Sequence, residues 1–226
     1  CVVGAAAGDA LGAATELLST KQIIETYGGL VTDFQTPAAN SLSRGRQAGQ
    51  VTDAFSIPYI LSQHIFKANG QTSKAIGEAA LREWGESEWF APFAGMTTRK
   101  VINRLKEDDK QELWSYAGHL GNKLFKGHYY ALSSNGAAVK AWPAALLHPA
   151  DLDAAISSAI ELTMASHDDP LSISGACAMA AAVSKALAED STLYDIILFM
   201  VLLKVSALPE CARMFGSILA PRWSAD

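Results

Sequence analysis

The chain has 226 residues, half of them hydrophobic, with a formal net charge of −5 at pH 7. This length and composition suit one mid-sized domain with a sizeable core. The acidic balance excludes a generic nucleic-acid-binding surface, which is basic, so no nucleic-acid partner is expected.

Residues 1–18 are rich in Ala, Gly and Leu and predict a buried helix. Gly4, Gly8 and Gly12 recur every four residues, a strip of small side chains on which another helix can pack closely. Asp9 and Glu16 lie seven apart and share roughly one face. Two acids on an otherwise apolar helix are costly unless paired, solvated or bound to something. Asp9 sits mid-helix among small residues that let a ligand approach, which favours function over a capping role. Residues 20–27 form a short helix with Ser19 as cap and Gly28-Gly29 as stop. The loop that follows is long, and its Arg44 and Arg46 either meet phosphate or are simply solvated.

Gly49-Gln50-Val51-Thr52-Asp53 then runs straight into an apolar segment. That pattern predicts a helix over 53–69, capped by Thr52 or Asp53, with Pro58 in a tolerated first-turn position. Thr52 and Asp53 are also hard oxygen donors held side by side. They suit Mg²⁺ or Mn²⁺ if partners come from elsewhere in the chain. Further helices are predicted over 72–84 (cap Thr72 or Ser73), from Thr97 or Thr98 to Leu105, and over 114–125. Ser133, Ser134, Asn135 and Gly136 precede another. Free N–H groups at such a start hold a phosphate or sugar hydroxyl, or the side chains simply cap the helix. Residues 151–165, 171–187 and the apolar 192–205 complete the helices, with a short helix and an irregular tail over 206–226. His167, beside Asp168 and Asp169, is placed to hydrogen-bond a ribose, orient a water, ligate a metal or serve structure. No period-two pattern and no internal repeat stand out. The expectation is a single compact all-α domain over 1–226, with roughly nine to eleven helices.

Cys1, Cys177 and Cys211 show no zinc spacing and no disulfide framework, which suggests free thiols in a reducing compartment. No basic-then-apolar leader is visible, and the apolar runs stop short of a membrane span. A cytoplasmic protein without a membrane partner is expected.

Taken in order, the informative stretches resemble the ADP-ribosylglycohydrolase family, which includes the dinitrogenase-reductase-activating glycohydrolases and the J-crystallins. Gly8-Asp9-Ala10-Leu11-Gly12 with Glu16 resembles the family's opening GDALG…E. Gly49 to Asp53 resembles its G-x-x-T-D-D segment. Gly95-Met96-Thr97-Thr98-Arg99 resembles G-P-T/S-T-R. Asn135-Gly136-Ala137 with Lys140 and Pro143 resembles N-G-A-x-x-R-x-x-P, and His167 with Pro170 resembles T-H-x-x-P. The matches run from residue 4 to about residue 180.

The resemblance implies an orthogonal all-helical fold that cleaves the glycosidic bond between ADP-ribose and a protein side chain or small molecule, using two Mg²⁺ or Mn²⁺ ions. It implies Thr52 and Asp53 as metal ligands and Glu16 with Asp53 as catalytic carboxylates. Asp9, Ser134, Asn135, Gly136 and His167 are implied as contacts to ADP-ribose or an ADP-ribosylated protein. Two departures matter. Ala54 stands where the family has a second Asp, and near the C-terminus Ala207 and Pro209 stand where carboxylates belong, with Glu210 in place of Thr. Ala and Pro carry no donor atom. One ion at most is therefore expected, with Glu210 a conceivable extra ligand. The primary expectation is lost or much reduced hydrolysis with ADP-ribose binding retained; the alternative is a working hydrolase on a one-metal site.

Overall fold

The computed structural model of the chain describes residues 1–107, 124–125, 128–129, 134–167 and 169–196. Ten helices can be delimited among them. In chain order they are α1 (Val2–Gly12), α2 (Thr20–Tyr27), α3 (Asp53–Lys67), α4 (Lys74–Trp84), α5 (Phe90–Phe93) and α6 (Met96–Lys106). α7 (Gly136–Val139), α8 (Trp142–Leu147), α9 (Leu152–Thr163) and α10 (Pro170–Ala186) follow. The all-α expectation holds. Its one exception is a two-residue antiparallel ladder, β1 (Leu124–Phe125) with β2 (His128–Tyr129). The ladder corrects the end of the helix predicted over 114–125. The rest of that prediction, most of 192–205 and the tail 206–226 lie outside the described residues. Only residues 192–196 of that apolar stretch are described; 193–196 are helical, with Thr192 and Asp195 exchanging capping bonds.

Local chemistry explains most boundaries. Ser19 and Gln22 form a reciprocal capping box at α2, and Gly28 ends it in the left-handed conformation at φ 81°. Thr52, Ser73, Asp151 and Asp169 each accept a backbone N–H at the starts of α3, α4, α9 and α10. Two expectations fail. Pro58 lies in the second turn of α3, inside the helix, where its missing N–H removes one hydrogen bond to Ala54. Thr97 and Thr98 do not cap α6: the helix starts from Gly95 without a side-chain cap, and both threonines are buried in its first turn.

The core joins α3, α4, α6, α8, α9 and α10. Ile57, Leu61 and Ile65 meet Leu81, Trp84, Ile102 and Leu105, while α8, α9 and α10 contribute alanines such as Ala144, Ala159, Ala176 and Ala180. Small side chains let these helix axes approach closely. One close approach is at Gly77: a Cβ there would lie 2.7 Å from the Ala165 methyl and 2.8 Å from the Leu162 carbonyl. Trp84 is fully buried, and its indole N–H donates to Ser56 Oγ at 2.9 Å, which ties α4 to the first turn of α3.

α1 is built differently. The expected buried helix over 1–18 ends at Gly12, and Ala10 is its one buried residue; Val3 is 82% exposed. No atom stands within 4 Å of a Cβ placed on Gly4, Gly8 or Gly12, so the small-residue strip has no partner among the described residues. Composition suggested burial, but the apolar residues of α1 are spread around its circumference rather than gathered on one face. No helix among the described residues is long and apolar enough to cross a membrane.

Candidate functional site

The start of α3 organises the site. Asp9, near the C-terminal end of α1, accepts the Thr52 hydroxyl at 2.6 Å, the Thr52 N–H at 2.7 Å and the Phe55 N–H at 3.2 Å. One carboxylate thus satisfies two backbone donors at the α3 start and gains from the positive end of its dipole. Thr52 Oγ1 in turn accepts the Ala54 N–H at 3.3 Å, which leaves one acceptor position on the hydroxyl. Further along α3, Phe55 stacks between Tyr59 and Trp142, fixing α3 against α8.

The opposite wall rests on α10. Asp169 caps that helix by accepting the Ser172 N–H at 2.8 Å, and Ser172 Oγ accepts the Ser134 N–H at 3.0 Å. Ser134 Oγ lies 2.7 Å from Nε2 of His167, whose Nδ1 lies 2.8 Å from Ser166 Oγ. Both ring nitrogens are therefore occupied by hydroxyls. His167 is buried, and burial together with the neighbouring Lys140 charge lowers its pKa to about 3. It is a neutral imidazole at any ordinary pH. Gly136 completes this wall: a Cβ there would come within 3.3 Å of Ser134 Oγ and 3.6 Å of both His167 Cε1 and Lys140 Nζ. Asn135 is exposed and makes no capping bond with its side chain.

A third wall comes from α5 and α6. The Arg99 guanidinium sits over the Phe90 ring and donates to the Ala91 and Ala94 carbonyls, which fixes the turn carrying Gly95 and Met96. Arg46, a candidate phosphate contact from sequence, is paired with Glu88 at 2.9 Å and lies over Phe93. Arg44 is exposed.

These walls enclose a cavity of about 620 Å³. Asp9, Glu16, Thr52, Asp53, Ser134, Asn135 and Gly136 all line it, so segments far apart in sequence meet at one place. Of the site residues read from sequence, His167 alone stands back, reaching the cavity through Ser134. Ala54 also lines the cavity, so a methyl group faces the space where the resemblance expects a second carboxylate. Sequence reading missed Leu42, Phe93 and Val139 as lining residues. Nothing local marks them, because their role is set by tertiary packing. It also passed over Lys140 as a functional residue, although a lysine inside the apolar run 136–147 was a usable signal.

The acids interact. Glu16 has a raised pKa, from partial burial first and then from the charges of Asp53 and Asp9. Asp53 is also raised, chiefly by burial, with Asp9 adding to the effect and Lys140 and its hydrogen bonds opposing it.

The helical scaffold thus presents an acid-lined cavity at a helix start. The chain belongs to the ADP-ribosylglycohydrolase family, whose family model matches residues 1–220. No curated protein matches it.

The family is generally metal-dependent, so the donors were tested against that chemistry. Asp9 is committed to the α3 start, Ala54 offers nothing, and Thr52 retains one acceptor position. Asp53 and Glu16 supply the other oxygens. Among the described residues no three His, Cys, Asp or Glu side chains gather as a ligand set. These donors do not fit two ions, each of which needs about six oxygens with several from protein. Ala207, Pro209 and Glu210 lie outside the described residues.

Proposed function

We propose that this chain is an ADP-ribose-binding member of its family, folded as one domain, whose hydrolysis of ADP-ribose–protein glycosidic bonds is lost or much reduced. The observation that carries this reading is one cavity with an intact polar wall and a depleted acidic wall. Ser134, Asn135 and Gly136 offer a hydroxyl, a side-chain amide and unhindered backbone to phosphate or ribose. His167 acts through Ser134, which it holds in place. Asp9 contributes by fixing the α3 start and lining the ligand's path. Thr52 and Asp53 would hold at most one hydrated Mg²⁺ or Mn²⁺, which would supply charge for orienting ribose hydroxyls. The exposed thiol of Cys1 suits a reducing, cytoplasmic setting.

A second reading is a slow hydrolase working from a one-ion site. Glu16 favours it: it lines the cavity, and burial with the charges of Asp53 and Asp9 raises its pKa, which suits a carboxyl that exchanges a proton there. The two readings separate in one assay. A mono-ADP-ribosylated peptide is incubated with the protein and millimolar Mg²⁺ or Mn²⁺, and free ADP-ribose is followed by chromatography. The expected result is no release above background over hours. Sustained multiple turnover that Glu16→Gln abolishes would establish the hydrolase instead.

A further inference from the structure

Lys140 follows α7 and is the one lysine buried among the described residues, at 3% exposure. Its Nζ makes no hydrogen bond among them. A buried ammonium with three unmet donors is costly, and such a group calls for a partner that the protein alone does not supply. Two spaces lie near the side chain. One is an apolar cavity of about 10 Å³ between Ile57, Leu61, Leu81 and Leu162, with room for one water at most. The other lies beyond Gly136.

Gly136 lines the cavity of about 620 Å³. A Cβ there would stand 3.3 Å from Ser134 Oγ, 3.6 Å from His167 Cε1 and 3.6 Å from Lys140 Nζ, so three side chains converge on its bare face. Gly136 is helical and its φ is not positive, so the backbone does not require glycine here; what the missing Cβ provides is space. An oxygen resting on that face comes within reach of both the Ser134 hydroxyl and the Lys140 ammonium. We propose that Lys140 is a ligand-binding residue: past the bare face of Gly136 its ammonium meets a phosphate group held by Ser134, and it supplies the positive charge for that contact without a metal ion. The identity of the ligand as ADP-ribose rests on the reading above; the phosphate site at Lys140 does not.

The charges around the cavity support this. Among the described residues no lysine, arginine or histidine lines it, while Asp9, Glu16 and Asp53 do. An anion there is repelled by the acidic wall unless a cation stands behind the opposite one. Other basic groups nearby are engaged elsewhere: Arg46 pairs with Glu88, and Arg99 donates to the Ala91 and Ala94 carbonyls. His167 is neutral. Burial lowers the Lys140 pKa to about 8, which still leaves it charged at pH 7. As the tautomer that carries its proton on Nε2, His167 donates to Ser134 and accepts from Ser166, which leaves the Ser134 hydroxyl proton free for an oxyanion.

The test is calorimetric titration of inorganic pyrophosphate and of ADP-ribose, at pH 7 in EDTA, into the full native chain, Lys140→Met and Gly136→Ala. Thermal unfolding checks that each variant is folded. Met suits the apolar surroundings of the lysine stem, and the methyl of Gly136→Ala meets only side-chain atoms. The native chain is expected to bind pyrophosphate. Affinity should fall about tenfold or more in Lys140→Met, as for one lost charge-assisted hydrogen bond, and should also fall in Gly136→Ala. If Lys140→Met does not fold, Gly136→Ala decides alone. No pyrophosphate binding by the native chain at millimolar concentration, or equal affinity in either folded variant, overturns the proposal. The ADP-ribose titration separates the two readings. ADP-ribose binding indifferent to Lys140→Met removes the role of Lys140 and leaves the ADP-ribose reading. Pyrophosphate binding that needs Lys140, without any ADP-ribose binding, removes that reading and leaves the role of Lys140.

Discussion

The wall carrying Ser134, Asn135 and Gly136 is anchored to α10 and backed by the alanine-rich core, whereas the opposite wall carries Asp9, on a helix whose one buried residue is Ala10, and Glu16, in the turn that follows it. The first is polar but neutral, with both nitrogens of His167 satisfied. The second is acidic: Asp9 ties α1 to the α3 start, and the Tyr27 hydroxyl donates at 3.0 Å to the Ala14 carbonyl in the turn that carries Glu16. A rigid neutral wall suits recognition. The acidic wall has a methyl group, that of Ala54, where the family resemblance expects a second carboxylate. This difference between the walls is what the proposed loss of hydrolysis with retained binding rests on.

The comparison can be broken at the core first. Trp84→Ala removes a fully buried ring and the bond to Ser56, and is expected to cost about 3–5 kcal/mol in denaturant unfolding. Next is acid. The pKa of His167 is lower in the folded chain than in the unfolded one, so the unfolded state binds more protons between about pH 6.5 and pH 3. Stability should therefore fall as pH drops through that window, by up to about 1.4 kcal/mol per unit from this residue. His167→Gln should flatten that slope. An unchanged slope would mean that the neutral wall is not built around a neutral imidazole.

Asp9→Ala should cost about 1.5–3 kcal/mol and loosen the α3 start, since it removes charge-assisted hydrogen bonds. In that variant hydrogen exchange should rise in α1 and the first turn of α3 while α9 and α10 keep their protection. Lys140→Met should raise stability at pH 7, by about 1–3 kcal/mol, because it removes a buried charge without creating a cavity. In the native chain the folded lysine releases its proton near pH 8 and the unfolded one near pH 10.5, so stability should rise with pH across that interval. The smallest effect belongs to Glu16→Gln. Removing a carboxyl whose charge is disfavoured should stabilise the chain by less than about 0.5 kcal/mol at pH 7, since Glu16 is largely exposed.

What could be read in the sequence follows the range of the forces involved. The caps at Ser19, Thr52 and Ser73 and the Gly28 stop were legible because capping is settled within about four residues. The site segments stood out as motifs, and all but the one carrying His167 line one cavity. Thr97 and Thr98 were misread as caps because burial, which depends on distant helices, took both side chains. The burial of α1 was misread for the same reason: composition reports how apolar a segment is, not what stands beside it. Lys140 was visible as an odd residue in an apolar run, yet its burial depends on helices far away in the chain, α3 among them.

The most direct test of a retained ligand site with depleted chemistry is calorimetric titration of ADP-ribose into the protein in EDTA, repeated with Ser134→Ala. The expected result is metal-independent binding at micromolar Kd, weakened about tenfold or more by loss of the Ser134 hydroxyl, in keeping with one lost hydrogen bond. No heat of binding at millimolar ADP-ribose in a folded protein would contradict it.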